Sequence, residues 1–301
     1  MNARRRLLPL LLVGSALLAQ APPPPPPPPA PPAPPAPSFG VDVPTDGRTE
    51  TRTEPLAYGS KLWVKNRNGA IYVTGWDREQ VQLTATIRDS AKRRVELVVQ
   101  HKGPDLDIEA VFQQPSWSFG FYVSPRCEMV LQVPRRVLGF FRTTNGNVQA
   151  QSLEGYARCE ATNGGITVKN IKGEVQADTT NGGIDASQLF ARIKGGTTNG
   201  HIHLEDVAGG IQMETTNGGI RAQNLDGWGE GIRLETTNGR IEVDLGKATG
   251  EILAENSNGS LDINIPGAQS IDISKHSAHL KVPGKAQQIR LETTNGSIRI
   301  R

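Results

Sequence analysis

Cysteine occurs only twice in the 301 residues, and aromatic side chains make up 5% of them. Two thiols exclude the disulfide-dense frameworks of small secreted domains. So few rings leave a core that must be built from aliphatic side chains. Long apolar runs are missing too. The longest, Leu7–Leu18, falls short of the ~20 residues that a membrane-spanning helix needs. Nor does one sign of charge prevail: there are 33 basic and 30 acidic residues, and Arg4, Arg5 and Arg6 account for the excess. The neutral remainder carries no electrostatic footprint for nucleic acid or an anionic membrane. Glycine-rich phosphate cradles and activated-nucleophile motifs are absent, and no cofactor is implied.

Glycine and proline are plentiful instead, at 33 and 22. The prolines concentrate behind the amino terminus. Residues 1–21 read as an export signal, with Arg4–Arg6 charged, Leu7–Leu18 apolar and Ala19-Gln20-Ala21 small. Pro22 disfavours cleavage directly after Ala21, and the alternative is an uncleaved membrane anchor. Residues 22–38 form a polyproline II spacer, because proline fixes φ and removes the amide donor. These segments place the chain outside the cytoplasm, in the periplasm or at the cell surface.

Residues 39–141 form an N-terminal β region. Leu62, Val64, Asn68-Gly69, Ile71 and Val73 open a first coil. Alternating runs at Val81–Ile87, Val95–Val99, Leu106–Ala110 and Cys127–Val133 predict antiparallel hairpins. Between them Trp117, Phe119, Phe121 and Tyr122 crowd into one loop. Exposed, that loop is a partner site; packed inward, it helps cap the open end of a repeat stack.

Residues 142–301 are organised by one phrase, Thr-Thr-Asn-Gly. Asn145, Asn163, Asn181, Asn199 and Asn217 stand 18 residues apart, followed by Asn238, Asn258 and Asn295. A fixed short period means stacked structural repeats. Apolar residues alternate around each Asn, as in Ile166 and Val168 after Asn163, so each coil holds two short strands with one face inward. Gly164 and Gly173 are expected at the corners, where φ is positive. The gap before Asn295 holds a degenerate coil of Ile271, Ile273, Leu280 and Val282. The fold class is therefore all-β: a parallel β-solenoid, or β-helix, with ~18-residue coils, capped by the N-terminal antiparallel excursion. Stacked asparagines would form an amide ladder along it. The last coil, Ser297–Arg301, would leave a bare edge and invite end-to-end self-association.

These Thr-Thr-Asn-Gly-Gly-Ile repeats behind a signal-like start resemble a bacterial "putative adhesin" family of β-strand-repeat domains, over roughly residues 60–301. The resemblance implies an extracytoplasmic β-helical domain without known catalytic residues, associated in places with envelope stress or surface attachment. It carries over no functional residue.

An outward column of Glu160, Asp178, Gly196, Glu214, Glu235, Glu255 and Glu292 stands beside Arg158, Lys194, Arg233 and Arg290. Cross-strand pairing makes it a solvated charge ladder. A Ca²⁺ site at Glu214, Glu235 and Glu255 is the weaker reading. His201, His203 and Glu205 share one face and are a weak transition-metal candidate. Cys127 and Cys159 are either a disulfide or two buried thiols. Glycoside chemistry would need carboxylates grouped in a cleft, which a regular ladder does not supply. The sequence thus reads as a non-enzymatic scaffold that binds an envelope protein or a cell-wall or extracellular glycan. The alternative is an envelope-stress sensor acting through a membrane protein.

Overall fold

The computed structural model describes residues 47–89, 94–113, 124–227, 229–284 and 287–301. These all belong to one compact unit, Gly40–Arg301; the other unit, Met1–Phe39, lies outside them. The expected signal, the spacer and the Trp117–Tyr122 loop therefore fall outside the described residues. Those residues form no helix, and their 24 strands join one continuous sheet.

Local alternation explains the strands. In the coil around Asn181, Lys172–Thr179 and then the long strand Ile184–Thr197 lay Val175, Ala177, Ile184 and Ala186 inward, each at most 1% exposed. Each strand pairs in parallel with its counterpart one coil away. Ile166 lies beside Ile184, and Val175 beside Ile193. An 18-residue repeat thereby becomes continuous columns of like residues, and Ile166, Ile184, Ile202, Ile220 and Ile241 line one interior wall.

The corners differ from expectation. Gly173 has φ 119°, but Gly164 is not in the left-handed region. Gly164 is needed for a different reason: a Cβ there would stand 1.9 Å from the carbonyl oxygen of Gly146 in the coil below. A second left-handed corner recurs every 18 residues without glycine, at Ser152, Asn170, Gln188, Asp206 and Asn224, with φ of 51–57°.

Coils do not lie in chain order at either end of the stack. Lys61–Lys65 and Ile71–Trp76 form the first coil and pair in parallel with Arg136–Asn145 and Val148–Gln151. On its outer side, Asp105–Phe112 and Arg126–Pro134 also pair with it in parallel. Antiparallel strands come only outside these: Val95–Lys102 on Asp105–Phe112, Gln80–Arg88 on Arg126–Pro134, and Arg48–Pro55 outermost. The excursion is thus mixed, not purely antiparallel. Its alternation at Leu106, Ile108, Met129 and Leu131 matches that of Leu62, Val64, Ile71 and Val73, so it continues the same columns.

At the other end, two expectations are corrected. Ile271, Ile273, Leu280 and Val282 do not form a coil. Gln269–Ile273 and Ser277–Val282 make an antiparallel hairpin, which packs antiparallel on Gly250–Asn258. Leu280 points inward, while Ile271 and Ile273 are 54% and 55% exposed. The last coil is no edge either. Gln288–Asn295 and Ile298–Ile300 insert between the Asn238 coil and the Asn258 coil, paired in parallel on both sides.

Candidate functional site

Two hydrogen-bonded ladders frame the outer surface of the Thr-Thr-Asn-Gly corner. From Asn163 on, each Asn Nδ2 donates to the Asn Oδ1 of the preceding coil in the stack, while Asn145 Nδ2 donates to the Arg67 carbonyl. The series runs Asn145, Asn163, Asn181, Asn199, Asn217, Asn238, Asn295, Asn258, at 2.8–3.0 Å. Asn295 precedes Asn258, because the inserted coil takes that place. Two residues earlier, Thr179, Thr197, Thr215, Thr236 and Thr293 are buried, and each donates its hydroxyl to a glycine carbonyl of the neighbouring coil. At the end of this row stands Asn256. Its Oδ1 accepts from His276 Nδ1 at 2.8 Å, and its Nδ2 has no partner among the described residues.

Beside this corner lies the acidic column. Insertion of the last coil gives it the order Glu160, Asp178, Gly196, Glu214, Glu235, Glu292, Glu255. Four glutamates in a row face one another at a strand spacing of ~4.8 Å, an arrangement that repulsion disfavours unless it is compensated. Arg233 pairs with Glu235, and Arg290 with Glu292. The equivalent positions beside Glu214 and Glu255 are Gln212 and Leu253, and these two carboxylates pair with no described cation. The expected charge ladder is thus paired at Glu160, Glu235 and Glu292, while Glu214 and Glu255 at the two ends of the glutamate run form no salt bridge. The four glutamates line a groove of about 450 Å³, together with the exposed hydroxyls of Thr237, Thr294 and Ser257 and the His276 ring.

The metal candidates are not brought together. Among the described residues, no group of three or more His, Cys, Asp and Glu side chains could hold an ion. Glu235 and Glu255 are not neighbours, because Glu292 lies between them. His201 Nδ1 accepts the Gly219 amide at 2.9 Å, and His203 stands 4.0 Å from Glu205. His203 belongs instead to a row of Asp185, His203, Arg221, Glu242, Arg299 and Asp262, whose Arg221 would compete with a metal cation.

The disulfide alternative is also corrected. Cys127 and Cys159 are free and buried. They lie on different strand rows, three coil spacings apart. That is roughly 14 Å along the stack, beyond the ~7 Å limit for bridged Cα atoms. Burial pushes both thiols from 9.0 up to about 12, so neither is a nucleophile at neutral pH.

One outward feature was missed by sequence reasoning. Trp63 and Phe140 lie in register and stack with centroids 5.4 Å apart at 14°, and Tyr156 packs on Phe140 at 5.5 Å. Because Trp63 and Phe140 turn their faces on each other, they present edges to solvent and make a poor platform for a sugar ring. Nearby, burial works against ionisation of Asp107. The Lys102 hydrogen bond and the Lys65 and Lys102 charges outweigh it and hold the carboxyl below its usual range. The register that sets Asp107 beside Trp63 arises from the out-of-order coil, which no local spacing reveals.

A family model described as Toastrack DUF4097 matches residues 60–301, the span over which the Thr-Thr-Asn-Gly-Gly-Ile repeats carry their resemblance. No curated protein matches the sequence. Three crystal structures are similar over most of the chain. One is described as a "putative cell adhesion protein" from Clostridium sporogenes, at 14% identity, covering 84% of this chain and 99% of that chain, with a TM-score of 0.28. Another, a "putative lipid binding protein" from Parabacteroides distasonis, has 14% identity, 85% and 98% coverage and a TM-score of 0.49. A "putative adhesin" from Bacteroides fragilis has 13% identity, 84% and 97% coverage and a TM-score of 0.44.

Proposed function

The chain belongs to the Toastrack DUF4097 family, and from its acidic groove we propose that it is a non-catalytic binding scaffold of the cell envelope whose ligand is a hydroxyl-rich glycan. In this reading the stacked coils are a parallel β-solenoid, the N-terminal excursion is its cap, residues 1–21 export it and residues 22–38 hold it off a surface. The observation that carries the ligand class is the groove lining. Glu214 and Glu255 form no salt bridge to a described cation, although Glu214 feels the charge of Arg233, so their oxygens can accept hydrogen bonds from outside, and the adjacent threonine and serine hydroxyls both donate and accept. Such a surface suits sugar hydroxyls and disfavours acidic polysaccharides by charge.

Thermal unfolding against oligosaccharide panels tests this. Neutral or amino-bearing glycans should raise Tm, by about 2.7 kcal/mol of added stability at 100 times the dissociation constant, while uronic-acid glycans should not. Glu214→Gln together with Glu255→Gln should weaken binding about tenfold, the equivalent of 1.4 kcal/mol, and leave the unliganded Tm no lower, since like-charge repulsion along the column is relieved. No shift with any glycan, alongside stoichiometric capture of one membrane protein, would move the assignment to an envelope-stress regulator.

A further inference from the structure

The Asn238 coil and the Asn258 coil follow each other in the chain but not in the stack. A place one coil wide separates them, and the final residues fill it. Ile289 lies between Ile232 and Ile252, and Ile298 between Ile241 and Leu261. Both walls of this slot are synthesised before the segment that closes it. Until then two strand edges, in Ile232–Asn238 and Gly250–Asn258, stand open towards each other.

Nothing in the slot marks that segment as belonging to the same chain. Arg290–Gly296 repeats Arg233–Gly239 residue for residue, Arg-Leu-Glu-Thr-Thr-Asn-Gly. Its contacts are those of a coil with its neighbours: Asn295 continues the amide ladder, Thr293 donates to the Gly239 carbonyl, and Ile289, Leu291, Ile298 and Ile300 are all fully buried; Arg299 adds ion pairs to Glu242 and Asp262, which the same walls of a second copy supply equally. Only five residues, 283–287, tether the segment to the hairpin strand Ser277–Val282. Short tethers favour exchange of such elements between copies.

We infer that residues 288–301 are a transferable element. They close the slot of their own chain in the monomer, and they close the slot of a second copy, reciprocally, in a swapped dimer. Identical contacts on both routes leave the choice to the concentration of chains while the slot is open. Four buried side chains and two paired edges make release slow once the segment is seated, so the two forms do not interconvert readily.

The test uses the full chain with Arg240→Cys and Ser297→Cys. These residues face each other across the slot, with Arg240 Nε 3.0 Å from Ser297 Oγ, and neighbouring strands at ~4.8 Å suit a disulfide. Isotopically light and heavy chains are unfolded together, refolded dilute or concentrated, and oxidised. While the dimer is the minor species, its ratio to monomer should rise about tenfold per tenfold rise in refolding concentration. The dimers should persist on dilution and contain light chains disulfide-bonded to heavy ones. Unsubstituted chains, mixed in the same way and read by native mass spectrometry, guard against a folding defect of the variant. Monomer at every concentration overturns the inference. So does a dimer that dissociates on dilution and carries its disulfides only within chains.

Discussion

Gly164 and Gly165 are adjacent in sequence and held by different constraints. A Cβ on Gly164 would meet the Gly146 carbonyl oxygen at 1.9 Å, and backbone packed into a sheet cannot move aside. A Cβ on Gly165 would come no nearer than 3.4 Å to the Gly183 carbonyl, and φ there is not left-handed. Gly164→Ala is therefore expected to cost at least about 3 kcal/mol, because it forces two coils apart. Gly165→Ala should change stability by under about 1 kcal/mol, in the stabilising direction if the unfolded-chain term dominates. Denaturant unfolding of both variants checks the contrast, and equal losses would show that close approach does not govern this corner. The sequence makes the glycine column obvious. It does not reveal the reason, since a glycine required by a neighbour's carbonyl and one required by its own φ look alike in one dimension.

The thiols allow a prediction at the same scale. Cys127 and Cys159 have pKa values raised by burial to about 12, while in the unfolded chain each ionises near 9. Between these values the unfolded state binds fewer protons, so stability is complete below pH 9 and declines as pH rises towards 12. The slope is roughly 1.4 kcal/mol per pH unit for each thiol. A chain with Cys127→Ala and Cys159→Ala should lose that part of the alkaline slope, as read from denaturant midpoints at pH 9 and 11. An unchanged slope would place the alkaline loss elsewhere. Reductant should leave Tm unchanged, since neither thiol is bridged.

At the scale of elements, strands were legible and their neighbours were not. Alternation is local, so Ile202 and Leu204 could be assigned inward from the sequence, and they are at most 1% exposed. Stacking order is not local. Identical heptads at Arg233–Gly239 and Arg290–Gly296 give no sign of which coil touches which, and the run from Ile271 to Val282 has a coil's apolar spacing while folding as a hairpin. The acidic groove inherits this limit: its glutamate column was visible, but the placement of Glu292 between Glu235 and Glu255 was not. The hairpin also relocates the exposed edge. Among the described residues, Gln269–Ile273 is the outermost strand at the C-terminal end, with Ile271 and Ile273 bare on it. Such an edge pairs with other chains unless charge blunts it. Ile271→Lys with Ile273→Lys should alter monomer stability by no more than about 0.5 kcal/mol, because neither side chain is buried. It should also reduce concentration-dependent association in sedimentation. Association that is indifferent to both lysines would exclude this edge as the contact.

Across the whole molecule, a stack of coils in contact mainly with their nearest neighbours should open from its ends inward, since terminal coils lack one partner. Here order in the sequence and order in the stack differ, because the late segment Ile289–Asn295 lies inside the stack. Ile289–Asn295 has paired strands on both edges, whereas the hairpin beyond Gly250–Asn258 has an open edge at Gln269–Ile273. Position in the stack should prevail, because protection depends on how many neighbours must separate before an amide meets water. In hydrogen exchange the amides of Ile289, Leu291 and Ile298 should be protected nearly as well as those of the central Ile184 and Ile202. Amides of 269–282 should exchange well before them. The reverse order would mean that the terminal coil leaves the slot on its own, ahead of the hairpin, so that the stack is held together by the hairpin and not by the insertion. Slow exchange in Ile289–Ile298 would show that the inserted segment joins the coils on either side of it, so that the Asn258 coil leaves the Asn238 coil only when one face of that segment parts.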